Sequence, residues 1–176
     1  NQQITVLPEG NGVGRMMSNA GKTRSRGVEC SAQYSLQNWG FSADCGITDA
    51  YYRDYQYNDS VNYAGNTVPY APTSTIAGQV KYEWNINRKL LDNVQISLQY
   101  RGIGKIYWND DNSMSQPLYS LLSTQIQCKK DNFSFGLFCK NLADVQYYTF
   151  YFKSIGRSFY AEGTPRVIGI NCNLTI

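Results

Sequence analysis

At 176 residues, with 42% hydrophobic against 16% charged side chains, the chain is long enough to bury one core. It has no histidine, which removes the usual general base, the commonest zinc ligand and every Ser-His or Cys-His pairing. Its net charge of +3 is scattered and not interleaved with the aromatic residues, so it argues against a nucleic-acid interface.

Aromatic residues make up 14% of the chain and include 15 tyrosines, which suits β-structure and surfaces where one end of a ring is wet. No apolar run reaches the length of a spanning helix. There is no charged-then-apolar leader either, and the first residue is Asn1, so the expectation is a chain processed or cut from something longer. A membrane β-barrel stays open, because its segments are short and only alternately apolar. The five cysteines show no zinc or disulfide spacing. Cys30, Cys45, Cys128, Cys139 and Cys172 all fall on the apolar phase of their segments, as small hydrophobes do.

In chain order, residues 2–7 read as the end of a strand and 8–25 as a loop rich in Gly, Asn and Arg/Lys. Gly21-Lys22-Thr23 resembles the end of a phosphate-binding loop, but Met16 stands where that motif needs glycine, and Gly10, Gly12 and Gly14 lack the third spacing of a dinucleotide fingerprint. From Val28 the alternation is clean, and a turn at Asn38-Trp39 predicts a hairpin with Leu36 opposite Phe41. Residues 51–72 form a long polar connection carrying Tyr51, Tyr52, Tyr55, Tyr57, Tyr63 and Tyr70. Its length suggests function, and two readings stand side by side, a ligand-contacting aromatic surface or interfacial aromatics with loop packing.

Residues 75–84 and 94–101 read as two further strands joined by a turn over 85–93, the second continuing through Gly102 and Gly104 to Trp108. In the loop 109–117, Asp110 and Asp111 hint at calcium, but Met114 sits where an oxygen ligand is needed, so the loop reads as solvated. Residues 123–127 and 133–139 alternate around Asp131-Asn132. That turn sets Lys130 opposite Phe133, Cys128 opposite Phe135, Ile126 opposite Leu137 and Thr124 opposite Cys139. Phe138 breaks the pattern by falling on the polar phase. Residues 168–176 repeat the alternation.

About eight strands result, each near the roughly 9–11 residues that cross a bilayer at a tilt. Short turns near Asn38, Asn87 and Asp131 lie on one edge, and longer loops around Met16, Tyr57, Asn112 and Gly156 on the other. Outer-membrane barrels sort their connections this way, with the polar phase facing the lumen and the apolar phase facing lipid. The expected fold is therefore all-β, an antiparallel up-and-down transmembrane β-barrel segment.

Four motifs follow one another along this pattern. They are Asn19-Ala20-Gly21-Lys22 with Arg26-Gly27-Val28-Glu29, Tyr63 through Pro72 (YAGNTVPYAP), Lys140-Asn141-Leu142-Ala143-Asp144, and Thr164-Pro165-Arg166. In order and separation they resemble the C-terminal barrel portion of a TonB-dependent outer-membrane receptor, over nearly all of residues 1–176. The resemblance implies energised uptake of a scarce nutrient, such as a ferric siderophore, across a Gram-negative outer membrane. It also implies outer-membrane lipids and the TonB complex as partners, the latter through a plug and N-terminal part absent here, and no cofactor, metal or enzymatic activity. Asn141, Leu142, Asp144, Pro165 and Arg166 map to family structural signatures. Tyr55, Tyr57, Tyr63, Trp108, Arg157 and Tyr160 are nominated as loop residues for the ligand. The family usually ends in an aromatic residue where this chain has Ile176. Two other readings compete: a complete eight-stranded barrel with an adhesive or structural role, which would close on itself, and a soluble β-domain using Glu29 and Asp44.

Overall fold

The computed structural model describes residues 2–8, 15–154 and 156–175, with side chains described from Gly21 onward, Ser154 excepted. Gly10, Gly12, Gly14 and Ile176, weighed above, lie outside the described residues, as does the side chain of Met16. Among the described residues every regular element is a strand. In chain order these are β1 (Gln2–Pro8), β2 (Arg15–Leu36), β3 (Trp39–Asp54), β4 (Gln56–Asn58), β5 (Val61–Asn62), β6 (Ser74–Arg88) and β7 (Leu91–Ile103). They continue with β8 (Ile106–Tyr107), β9 (Ser115–Gln116), β10 (Tyr119–Lys130), β11 (Phe133–Lys140), β12 (Tyr148–Ser154), β13 (Arg157–Glu162) and β14 (Val167–Leu174).

One eight-stranded antiparallel sheet runs in the order β1-β2-β3-β6-β7-β10-β11-β14, and the remaining strands pair two by two within the connections. Each wall strand thus pairs with the next wall strand in the chain. The sheet is open, with β1 and β14 at its two ends; a self-sufficient eight-stranded barrel would instead pair them.

Register explains the two faces, because strand side chains alternate. One row across the sheet reads Leu36, Trp39, Tyr82, Ile96, Ile126, Leu137, Ile170. A row on the other face reads Gln33, Ser42, Gln79, Gln99, Ser123. The apolar face is not covered: Val28 is 74% exposed, Ile47 67% and Ile168 69%. On β3 it runs from Trp39 to Ile47 and ends at Asp49, which the Arg26 guanidinium holds at 2.9 Å. Aromatics gather at its turn edge, where the Trp39 ring lies 4.7 Å from Tyr82 and 6.0 Å from Phe41.

The β10–β11 register is the expected one at all four pairs. Phe138 is accounted for by Gly169 directly opposite, since its ring covers the bare backbone there and Lys140 Nζ stands 5.5 Å from the ring centroid. In the same way Lys81 covers Gly40 and Asn171 covers Gly136.

Four expectations change. The turn after β2 comprises Gln37 and Asn38, so Leu36 pairs with Trp39 and Tyr34 with Phe41; the slip is even and keeps both faces. Residues 15–25 are not loop but the upper part of β2, held by backbone pairing to β1 on one side and, from Lys22, to β3 on the other. The turn over 85–93 shrinks to Lys89 and Leu90, with Arg88 paired to Leu91. Finally, β7 stops at Ile103, where Gly104 turns away to bond Ser74.

Candidate functional site

Among the described residues, the edge opposite the short turns carries three connections that build one structure. The first, residues 55–73, opens with the β4–β5 hairpin and then returns beside the top of β3. There Tyr52 N–H donates to Asn66 O (2.9 Å), Val68 N–H to Ala50 O (3.0 Å) and Thr48 N–H to Thr73 O (3.0 Å). Its far side bonds the second connection, residues 104–118, through Tyr70 N–H to Tyr107 O (2.8 Å) and Thr73 N–H to Lys105 O (3.0 Å). The motif at 63–72 is therefore a strand-like filler between β3 and the next loop.

Tyr52 and Tyr55, 1% and 3% exposed, form a buried pair against which Tyr57, Tyr63 and Val68 pack. The rings of Tyr52 and Tyr55 lie 4.8 Å apart, those of Tyr55 and Tyr63 5.4 Å, and those of Tyr57 and Tyr63 5.3 Å. Both phenols donate to one carboxylate from the second connection, Tyr52 to Asp110 Oδ1 at 2.6 Å and Tyr55 to Oδ2 at 3.2 Å. Burial first, and the adjacent Asp110 carboxylate second, push the Tyr52 phenol far above its ordinary value, so it remains a donor at physiological pH. Burial, with Asp111 nearby, also raises Tyr63.

Around this pair Asn66 Nδ2 donates to Asp110 O (2.8 Å), and Asn112 bonds both backbone groups of Thr67, at 2.7 and 2.8 Å. The loop 109–117 is mostly exposed, as expected of a solvated loop, but Asp110 and Asn112 fasten two connections together.

The third connection, 141–166, begins with a knot. Asn141 is 4% exposed. Its side chain donates to Val145 O and Thr164 O, both at 3.0 Å, and accepts Val145 N–H at 2.9 Å. Leu142 N–H reaches back to Leu122 O (2.7 Å). Asp144 accepts Arg166 N–H at 2.7 Å and faces its guanidinium at 3.5 Å, beside Pro165. Asn141 and Asp144 both adopt left-handed φ, 50° and 54°, a conformation that Asn and Asp tolerate better than most residues. Asn141, Leu142, Asp144 and Arg166 thus anchor the segment that leads into β14.

The β12–β13 hairpin stands beyond the knot. Alternation puts Phe150, Phe152 and Phe159 on one face, with Phe152 and Phe159 stacked at 5.0 Å, and a register irregularity between Tyr148 and Phe150 moves Tyr148 to the other. Tyr148 and Tyr160 meet edge-on at 4.9 Å. The hairpin is tied down by Tyr70, whose ring lies 5.6 Å from both Trp108 and Phe150 and whose hydroxyl donates to Tyr151 O (2.9 Å). Buried Gln116 adds a bond, accepting Tyr148 N–H at 3.0 Å.

Of the nominated ligand residues, Tyr55, Tyr57 and Tyr63 come together in the tyrosine cluster, and Trp108, 6% exposed, lies under Tyr70. Arg157 and Tyr160 stand apart on β13, both exposed. Asp110, Gln116 and Phe150 were not singled out for this site by sequence; their partners are long-range and no local spacing marks them. On the polar face of the wall, Asp44, Gln79, Gln99, Arg101, Lys140 and Tyr147 line a hollow of about 530 Å³. Among the described residues no group of three His, Cys, Asp or Glu could hold a metal ion.

An open up-and-down wall with apolar outer rows and a knitted set of loops is how a segment of a large barrel is built. Residues 1–142 match the family model described as TonB dependent receptor-like, beta-barrel. The chain belongs to this family. Among curated proteins, the TonB-dependent receptor segment is 26% identical over 164 residues to the pesticin receptors of Yersinia pestis and Yersinia enterocolitica, covering 90% of this chain and 23% of theirs. Among solved structures, it is similar to the ferric yersiniabactin uptake receptor FyuA from Yersinia pestis, with TM-score 0.78, 21% identity, and coverage of 90% of this chain and 24% of that one. The siderophore receptor PiuA from Acinetobacter baumannii gives TM-score 0.68 at 17% identity, with 89% and 22% covered. The receptor segment therefore spans about a quarter of the length of the relatives it matches. Those relatives are named as receptors.

Proposed function

We propose that residues 1–176 are the C-terminal portion of an outer-membrane β-barrel that takes up a scarce nutrient, a ferric siderophore or similar, with energy delivered through TonB. The observation that carries the membrane part is the exposed apolar band. On β3 it extends from Trp39 to Ile47 and is bounded by aromatics below and by the Arg26–Asp49 pair above. That span agrees with the roughly 9–11 residues of a tilted crossing strand. In this reading the Trp39–Tyr82 edge is periplasmic and the loop body extracellular. TonB acts through a plug and N-terminal segment elsewhere in a longer protein, and the polar hollow faces that plug.

The uptake part is supported by the family and by the names of its siderophore-receptor relatives. Arg157 and Tyr160 are the exposed members of the nominated set and present a cation and a ring to an anionic, aromatic chelate. Tyr57 and Tyr63, half-buried in the tyrosine cluster, are secondary candidates, and Tyr55 and Trp108 are buried.

Uptake of radioiron by cells expressing the full-length receptor, offered a panel of ferric siderophores with and without TonB, tests this. Uptake of at least one chelate that disappears without TonB is expected. The double variant Arg157→Ala, Tyr160→Ala should weaken apparent affinity about tenfold, equivalent to about 1.4 kcal/mol. Uptake unchanged by loss of TonB, or loss of the receptor without effect on any chelate, overturns the reading.

A further inference from the structure

We infer that the first and second connections and the β12–β13 hairpin are one pre-folded body, locked at Asp110 and wedged by Tyr70, so that they open or shift together rather than as independent loops. This goes beyond the uptake reading and does not depend on which ligand is carried.

The lock has the features of a built contact. Both oxygens of a single carboxylate are used, one by a phenol at the top of β3 and the other by a phenol at the start of the first connection, and both phenols are almost completely buried. A charge-assisted bond of 2.6 Å away from water is among the stronger hydrogen bonds a protein makes. Losing it takes one buried donor away from the Asp110 carboxylate. Asn66 and Asn112 close the same seam from either side, and backbone bonds from Tyr70 and Thr73 continue it down to the wall. A loop released from this seam would abandon all of these together, so the opening of one connection exposes the other.

The wedge extends the body to the third connection. Tyr70 holds a left-handed backbone, φ 63°, which is costly for a bulky residue and persists only where surroundings fix it. Here the ring is fixed between Trp108 of the second connection and Phe150 of the hairpin, and the hydroxyl by Tyr151 O. Tyr70, itself in the first connection, therefore contacts the other two at once.

Hydrogen exchange read by mass spectrometry on the full-length receptor in outer-membrane vesicles, without ligand, tests the coupling. Tyr52→Phe keeps the ring and removes only the hydroxyl. It should speed exchange about tenfold or more in peptides from 104–114 as well as from 62–70, while β10–β11 peptides stay unchanged. Asp110→Ala should accelerate the same two segments, and Tyr70→Ala should add the 148–162 hairpin. Should Asp110→Ala fail to assemble, Tyr52→Phe decides. Acceleration in only one of the segments named for a variant, the others staying as protected as before, means independent loops and overturns the inference. Because no ligand is present, neither result bears on uptake, and failure of the uptake experiment leaves this one standing.

Discussion

Leu98 and Trp108 are both large apolar residues on one stretch of chain, yet Leu98 is 44% exposed and Trp108 6%. Leu98 belongs to the wall, where backbone ladders hold the strands and apolar side chains face outward. Trp108 belongs to the loop body, where side chains pack inward on one another. Ala50, Tyr52, Tyr55, Ile103, Trp108 and Tyr151, the buried hydrophobic residues among those described, all lie at or beyond the loop edge of the sheet. One chain thus contains an inside-out region and an ordinary one. The wall takes its apolar burial from the surrounding lipid in the proposed setting, whereas the loop body carries its own core into water.

The contrast can be broken most forcefully at Trp108. Trp108→Ala removes a buried ring and should cost the loop body about 3–5 kcal/mol. Limited proteolysis should then cut within 55–73 and 104–118 while the barrel keeps its folded electrophoretic mobility. Collapse of the wall in the same variant would show that the two regions are a single cooperative unit.

A charge on the wall separates its two faces. Leu98→Arg, on the apolar face, should cost about 2–4 kcal/mol at mid-membrane depth, and Gln99→Arg, next in sequence on the polar face, roughly 1 kcal/mol or less. Urea titration in phospholipid vesicles measures both, and equal costs would refute the outward assignment.

The smallest effect is expected at the short-turn edge. There Lys130 Nζ lies 2.7 Å from Asp92 Oδ1, and Asp131 N–H donates to Oδ2 at 2.8 Å. The bond from Lys130 first, then that amide, hold Asp92 below its ordinary 3.8. Its contribution is therefore present above pH 3.8 and is lost as pH falls through the lower folded value. Lys130 is raised above 10.5 chiefly by the same bond, so its share is complete below 10.5 and fades as pH rises through the folded value. Lys130→Met should flatten the alkaline limb and weaken the acid limb of melting temperature against pH, with little change at neutrality because the pair is solvent-screened. A large neutral-pH loss would contradict that.

The β10–β11 register was readable because Asp131-Asn132 marks the turn and alternation marks the faces. The upper half of β2 was not. Residues 15–25 lie above the apolar band, so nothing in Asn19, Lys22 or Arg24 needs to alternate, and their strand exists through pairing to β1 and β3. The same reason hid the last residues of β6, Asn85 to Arg88, below the band. In the loops the tyrosines were visible as composition, but Asp110, noted only as a hint of calcium, was not legible as their partner, because it meets Tyr52 and Tyr55 across 58 and 55 residues of sequence. Local pattern reports which face a residue takes, whereas contacts between connections depend on the whole wall bringing them side by side.

The length of β2 has a consequence for how this receptor meets its surroundings. Its 22 residues span about 70 Å along the strand at about 3.3 Å each, and more than half lie above Val28, where the apolar band ends. At a barrel tilt of about 35–45°, the top of the strand would stand some tens of ångströms clear of the lipid. In the proposed outer-membrane setting, an antibody or a diffusing ligand would then encounter the loop body well outside the headgroup layer, with a long polar vestibule still to descend before reaching membrane depth.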